Sequence, residues 1–190
     1  MSPDPSRLIA AQLRPGEDLL WAGRPDPAVT FSSGDVFLIP FSILWCGFVV
    51  FWEASAITGG AGPFFVLWGV PFIAFGVVSA VGRFPLKRRQ KQRTVYGLTD
   101  QRAIIVVGDR SVRDSPLRDQ PTDVRRSRDG RHASITFGAV KTGAFSNNTA
   151  YYGNTDLDFM VRGSLPFAFY DVADPEPMLD AVATAARGPR

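Results

Sequence analysis

The amino-acid sequence predicts an α+β membrane protein, in which a hairpin of two transmembrane helices precedes a β-rich domain closed by a C-terminal helix. Three observations carry this prediction. Residues 36–82 hold two long apolar stretches and a single charged residue, Glu53; residues 83–93 hold six basic side chains and no acidic one; residues 94–190 alternate strand-like segments with turns before a helical pattern. The predicted units are an N-terminal segment (1–35), the hairpin (36–82), a basic juxtamembrane linker (83–93) and a β domain (94–190).

The N-terminal segment is polar and contains three basic and five acidic residues. A cleavable signal peptide has a basic region beside its apolar core, whereas Asp35 precedes the first apolar stretch here, so no signal peptide is expected. Ser6 to Leu13 fits a short helix, and Glu17 to Gly23 fits an extended segment between prolines. Leu19 to Trp21 should pack against the membrane surface or against the β domain.

The two spans are expected at about 36–53 and 64–82. At about 1.5 Å per residue, roughly 20 helical residues cross a ~30 Å hydrocarbon layer. A helix of a soluble protein shows a charged face, and neither stretch does. Pro40 falls in a first helical turn, where it is tolerated, and Pro71 should kink the second span. Glu53 is expected at the far interface, beside Trp52.

Small residues in the second span predict close helix packing. Gly76 and Ala80 are four residues apart, a spacing that lets a neighbouring helix approach. The first span is the expected neighbour because the connection between the spans is short and rich in glycine.

The basic linker predicts the orientation of the hairpin. Lys and Arg collect on the cytoplasmic flanks of spans, so both termini should lie at the cytoplasmic face of the cell (inner) membrane. The basic side chains of the linker are also expected to contact the membrane surface and to attract anionic lipid, at about 1 kcal/mol each. The six residues are Arg83, Lys87, Arg88, Arg89, Lys91 and Arg93.

The first half of the β domain reads as two hairpins. Residues 94–99 and 103–107 are rich in β-branched side chains, and residues 100–102 connect them. Val112 to Leu117 fits an edge strand, since it contains Pro116. Strands at 122–126 and 133–137 then flank a turn centred on Asp129 and Gly130.

The second half of the β domain is less regular until its end. A loop is expected at 138–154, and strands are expected at Asp156 to Val161 and Leu165 to Tyr170. The final helix should begin with Asp174 as N-cap and Pro175 at its first position. Its apolar face should comprise Met178, Leu179, Val182 and Ala186.

Several of these segments resemble bacterial pleckstrin-homology-like (bacterial PH) domains. The run Tyr96-Gly-Leu98-Thr99-Asp100-Gln-Arg102 is similar to the turn of their first hairpin. The Gly130 hairpin and Phe167-Ala-Phe169 follow in the order of that family, although the 138–154 loop is longer than its pattern. The lead-in LRPGEDLLWAGRP also resembles members that carry two transmembrane helices before the domain. The resemblance implies a strongly bent β-sheet or partial barrel with a C-terminal helix. It does not imply phosphoinositide binding, because a fold does not fix a function and the first hairpin has one basic residue.

No catalytic arrangement or metal-ligand cluster is apparent in the sequence. His132 and Cys46 are the single residues of their types, so neither a zinc site nor a nucleophile–histidine pair is expected. Asp156 and Asp158 should face water. Arg102 is expected to bond neighbouring turn carbonyls rather than a ligand. The β domain holds twelve basic and twelve acidic residues, so no nucleic acid is expected as a partner. No cofactor is expected either.

The function expected from these features is that of a membrane-anchored, non-enzymatic PH-like binding or scaffold module at the cytoplasmic face, which engages a protein partner or lipid. The alternative is an accessory or enzymatic subunit of a larger membrane complex.

Overall fold

A computed structural model describes residues 4–31, 35–108, 111–118, 120–138 and 167–187. The predicted strand at 156–161, most of the predicted 138–154 loop and residues 165–166 lie outside these ranges. The described helices are α1 (Pro5–Ala10), α2 (Asp35–Thr58), α3 (Pro63–Val77), α4 (Arg83–Arg93) and α5 (Glu176–Arg187). The strands are β1 (Leu19–Gly23), β2 (Thr94–Thr99), β3 (Arg102–Val107), β4 (Ser111–Pro116), β5 (Thr122–Arg126), β6 (His132–Phe137) and β7 (Phe167–Ala173).

The two predicted apolar helices are present as α2 and α3, and a π-helical turn, Val78–Gly82, continues α3. Both are long and apolar enough to cross a membrane. Only 17% and 12% of their apolar windows are buried within the chain, whereas a core helix of a soluble protein buries most of its apolar surface. The helix α2 continues to Thr58, five residues beyond the predicted end of the first span.

The contact between α2 and α3 follows a seam, which on α2 consists of the buried or half-buried residues Ser42, Cys46, Val49 and Glu53, spaced four, three and four apart. This spacing is the one that packs helices at a small crossing angle. At Gly76, a Cβ atom would lie 2.7 Å from the Sγ atom of Cys46, and at Gly69 it would clash with the carboxyl group of Glu53. The helices therefore approach closely because α3 lacks side chains at these points.

The N-terminal segment belongs to the β domain, which differs from the predicted division at residue 35. Strand β1 pairs antiparallel with β2, and Leu19 lies opposite Thr99 and Gly23 opposite Tyr96. The two long helices are thus inserted in the connection between two adjacent strands. Leu20 and Trp21 pack against the buried core of the domain, which is the second of the two positions expected for them.

The β domain contains two antiparallel sheets in its described residues. The first has the order β1-β2-β3-β4 and the second β5-β6-β7. Both predicted hairpins are present, and Gly130 in the second turn has a φ of +70°, which glycine adopts without strain. Strand β4 is an edge strand with Pro116 at its end, as predicted.

The two faces of the first sheet carry separate apolar clusters. The inner cluster joins both sheets with α5, and its fully buried side chains include Leu98, Ile135, Phe169 and Met178. On the outer face, Ile9 of α1 covers Gly97, where a Cβ atom would lie 2.5 Å from Ile9. Both terminal helices thus pack on the sheet that β1 completes.

The C-terminal helix differs in detail from its prediction. It begins at Glu176, and Asp174 has a φ of +46°, so Asp174 does not precede the helix directly as an N-cap. Met178 is buried and Leu179 and Val182 are half-buried as expected, but Ala186 is exposed. Ala181 takes a buried place on the apolar face instead, because it lies three residues after Met178 on the same side of the helix.

Candidate functional site

The segment that joins the hairpin to the β domain is helical. Helix α4 follows the π-helical turn directly and ends at Arg93, where β2 begins. It thus forms a stalk between the membrane-length helices and the first sheet. Lys87 and Lys91, one turn apart, are buried, whereas Arg88, Arg89 and Arg93 are exposed. Arg83 lies at the first position of α4.

Lys91 lies in a buried ion pair, which differs from the membrane-surface contact expected for it. Its Nζ atom donates to Oδ2 of Asp171 at 2.5 Å and to the backbone oxygen of Val29 at 2.5 Å. The two charged side chains are only 6% and 16% exposed. Asp171 adopts a φ of +50°, a conformation that is strained for a residue other than glycine and that marks a constrained position.

Residues 24–31 run beside α4 and are held at several points. Nη1 of Arg24 donates to the backbone oxygen of Gln92 at 2.9 Å, and the rings of Phe31 and Phe84 stack with centroids 5.7 Å apart. The backbone N–H of Asp26 donates to the oxygen of Asp171 at 2.9 Å. Contacts from α4, β7 and this segment therefore fix the stalk to the β domain.

Asp26 connects the stalk to the second hairpin. Its carboxylate lies 2.9 Å from Nε2 of His132 and accepts the backbone N–H of Ala28 at 2.8 Å. Both hydrogen bonds lower the pKa of Asp26, and the bond from Ala28 has the larger effect. The single histidine, at the first position of β6, thus has a structural contact here.

The exposed face of the stalk is cationic with an apolar rim. Arg88, Arg89 and Arg93 share it with Leu86, which is 52% exposed, and Phe31 beside it is 61% exposed. Helix α4 contains no acidic residue. Such a face can bind anionic groups through guanidinium donors while the apolar side chains enter a headgroup layer.

The opposite end of the first sheet holds a buried ion pair that the sequence analysis missed. Nε and Nη2 of Arg102 donate to Oε1 and Oε2 of Glu17 at 2.8 and 3.0 Å. Nη1 donates to Asp114 at 2.8 Å, and Nη2 also donates to the backbone oxygen of Gln12 at 2.8 Å. The expectation that Arg102 bonds neighbouring turn carbonyls was wrong, because these four acceptors come from the N-terminal segment and from β4.

Glu17 is enclosed by donors from three parts of the chain. Its carboxylate also accepts the Thr99 hydroxyl and the backbone N–H of Arg14, both at 2.8 Å. The pKa of Glu17 is lowered to about 2, and the hydrogen bonds from Arg102 are the largest cause. The same hydrogen bonds raise the pKa of Arg102. The signal that could have revealed this pair is the presence of two motifs in one chain, since Glu17 belongs to the lead-in and Arg102 to the first-hairpin turn.

An open cleft of about 600 Å³ lies beside this ion pair. Its lining mixes both signs of charge, and Nη2 of Arg14 pairs with Asp114 at 3.1 Å. The lining residues are Arg14, Asp100, Gln101, Arg102, Asp114, Pro116 and Arg118. With Glu17 beneath it, the cleft contains three basic and three acidic side chains and so has no net attraction for an anion.

Of the two predicted helix-packing residues, Gly76 faces α2. Gly76 lies against Cys46 and Trp45, and Ala80 lies half-buried in the π-helical turn, which also contacts α2. Gly69, which the sequence analysis did not single out, receives Glu53 in the same seam. Glu53 is therefore placed between the helices rather than at the end of α2.

Within the described ranges, no group of three or more His, Cys, Asp or Glu side chains lies close enough to hold a metal ion. The chain matches no protein-family model, no curated protein and no solved structure.

Proposed function

We propose that this chain is a membrane-anchored, non-enzymatic PH-like module whose stalk contacts anionic lipid at the cytoplasmic face of the cell membrane. The observation that carries the proposal is the pairing of β1 with β2 on either side of the two apolar helices. Both strands belong to one sheet and so lie on the same side of the membrane. The chain must therefore leave the bilayer before β2 on the side from which it entered after β1. An even number of crossings satisfies this requirement.

The exposed surface of the hairpin supports its insertion in a bilayer. Large apolar side chains, among them Phe48, Phe51, Leu67 and Trp68, are more than half exposed along both helices. Burying such side chains is worth about 1.5–3 kcal/mol each, and soluble monomers rarely expose apolar patches of this extent. Lipid would cover the outward-facing sides of both helices.

The architecture of the β domain supports a PH-like fold. A four-stranded sheet and a three-stranded sheet follow in chain order, share one core and are closed by a C-terminal helix. This arrangement agrees with the bent sheet and terminal helix that the bacterial PH resemblance implies. The described clusters of charged residues hold parts of the fold together, which favours a binding module over an enzyme.

The stalk provides the proposed lipid contact. Arg88, Arg89 and Arg93 lie six to eleven residues after the second span, and each exposed basic residue near an anionic headgroup layer contributes about 1 kcal/mol. The same charge beside the span favours a cytoplasmic stalk. Lys91 does not contribute, because Asp171 neutralises it inside the domain.

Lipid nanodiscs test the contact on the full-length chain. The melting temperature of the wild type is expected to be higher in discs with anionic lipid than in zwitterionic discs, because a ligand that binds the folded state stabilises it. Replacing Arg88, Arg89 and Arg93 together with Gln should abolish this difference.

A matched control removes three exposed arginines elsewhere, at Arg7, Arg118 and Arg187, and should retain the difference. Equal losses in the two triple variants would show a general charge effect and contradict the proposed site. A stable complex with a protein that forms equally well after the stalk substitutions would favour a protein partner instead.

Membrane topology is tested separately with single cysteines in a Cys46→Ser background. A cysteine at Gly60, between the spans, and one at Arg187 should react with an impermeant reagent from opposite sides of the membrane. Labelling of both from one side would overturn the proposed anchor.

A further inference from the structure

Glu53 is the one charged residue between positions 36 and 82, and it lies in the seam of the hairpin. Its Oε2 atom is buried and has no hydrogen-bond partner among the described residues. The atom occupies the space that a side chain at position 69 would fill, so Gly69 is what admits it. A buried polar atom without a partner costs several kcal/mol in an apolar medium, which points to a partner other than the described residues.

An aromatic cleft lies at the same level of the hairpin. It has a volume of about 190 Å³ and is lined by Trp45, Phe48, Val49, Trp52, Trp68 and Phe72. Val49 lies one helical turn before Glu53, Trp52 is its neighbour in the chain, and Trp68 precedes Gly69. The five rings and the carboxyl group therefore belong to one short stretch of the hairpin.

The chemistry of this stretch selects among cations. Faces of aromatic rings attract cations, most strongly where water is excluded, and a carboxylate supplies the opposite charge. A small metal cation prefers several oxygen ligands, whereas the lining of this cleft is almost entirely apolar side chains. An organic cation with apolar substituents satisfies both the rings and the carboxylate.

We propose that the hairpin binds a lipophilic organic cation, such as a quaternary ammonium or phosphonium ion, with its charge neutralised by Glu53 and its substituents in the aromatic cleft. Ionisable residues within membrane spans commonly mark ligand or ion sites. The proposal rests on insertion of the hairpin in the bilayer and is independent of the lipid contact at the stalk.

The test uses the full-length chain in zwitterionic nanodiscs with tetraphenylphosphonium as the probe. Three of the four tryptophans line the cleft, so binding should change their fluorescence, and equilibrium dialysis should give a saturable isotherm. Tetraphenylborate has the same shape and the opposite charge and should not bind saturably. Equal binding of the two ions would show that the fluorescence change and the isotherm arise from partition into lipid, and it would overturn the proposal.

Substitutions locate the site. Glu53→Gln should weaken cation binding at least tenfold, and Trp68→Leu, which retains the carboxyl group, should weaken it several-fold. Phe64→Leu is the matched control, since Phe64 is 71% exposed and does not line the cleft, and it should bind as the wild type does. Unchanged affinity in Glu53→Gln would overturn the proposal.

Two measurements keep this inference separate from the proposed anchor. Thermal melts and size-exclusion profiles show whether Glu53→Gln folds; if it does not, the wild-type ion selectivity and the Trp68→Leu result decide. Extraction of membranes with alkaline carbonate tests insertion. A chain that resists extraction but binds neither ion would overturn the cation site alone.

Discussion

Single charged residues connect parts of this chain that are far apart in sequence. Glu17 and Arg102 form a bidentate ion pair between the N-terminal segment and β3, and the Glu17 side chain is fully buried. Lys91 and Asp171 form a second buried pair between α4 and β7. Removing one member of such a pair leaves the other as an uncompensated buried charge. The two pairs should therefore dominate the effects of single substitutions in the β domain.

Replacing Arg102 with Met should lower the free energy of unfolding by about 3–5 kcal/mol, because the Glu17 carboxylate would remain buried without its partner. Chemical denaturation in detergent micelles measures the loss. The control is Arg125→Met, which breaks an exposed pair with Asp123 and should cost less than about 1 kcal/mol. Similar losses in the two variants would contradict the assigned role of Arg102.

Acid should destabilise the domain through Glu17. Its pKa is about 2 in the folded chain against 4.5 for the ordinary side chain, so the folded state holds the ionised form more strongly. This contribution, up to about 3 kcal/mol, is fully present above the ordinary pKa and is lost as the pH falls from about 5 towards 2. Denaturation curves between pH 6 and 2.5 measure it, and Glu17→Gln should show a shallower dependence on pH across that window.

At the scale of elements, two glycines of α3 allow the close contact between α2 and α3. Gly76 and Gly69 bring α3 against Cys46 and Glu53 of α2, while bulky side chains point outwards along both helices. Periodicity and length predicted both helices and one of these glycines, since apolar runs of this length have few alternatives. They did not predict that Glu53 lies in the seam, because the facing residue depends on the packing register of the two helices.

Replacing Gly76 with Val should force α2 and α3 apart, since even a Cβ atom would lie 2.7 Å from Cys46 Sγ and overpacking typically costs 1–3 kcal/mol. Gly47→Val is the matched control within the hairpin, because a Cβ atom there meets nothing within 4 Å. Thermal unfolding in nanodiscs measures both. A melting temperature lowered equally by the two substitutions would argue against close packing at Gly76.

At the scale of the whole molecule, the β domain is assembled from both sides of the hairpin. Residue content predicted the strands β2 and β3, which are rich in β-branched side chains, and the turn at Asp129 and Gly130 predicted β5 and β6 on either side of it. The partner of β1 could not be predicted in the same way, since strand pairing over this separation leaves no local pattern. For this reason the sequence analysis placed residues 1–35 in a unit of their own. Lys91 was assigned to the membrane surface because its buried partner, Asp171, lies 80 residues later.

A chain that lacks the hairpin should remain folded if β1 is retained. The rings of Phe31 and Phe84 lie 5.7 Å apart, so a short Gly/Ser linker from residue 31 to residue 84 should preserve both buried ion pairs. We expect this chain to be soluble without detergent and to unfold cooperatively. The fragment 94–190 lacks β1, Glu17 and Lys91 and should not unfold cooperatively. Cooperative unfolding of that fragment would contradict the contribution assigned to residues 4–31.

The insertion of the hairpin between β1 and β2 also constrains biosynthesis. During translation β1 emerges about 70 residues before β2, which at roughly 5–20 residues per second leaves it without its neighbour for several seconds. If only one span crossed the bilayer, β1 and β2 would lie on opposite sides of the membrane. The ion pair between Glu17 and Arg102 could then not form, and the edge of β2 would remain unpaired. Under the proposed anchor, the sheet can therefore form only after both spans have crossed the bilayer, and chains in which one span fails to cross would remain unfolded and open to proteolysis.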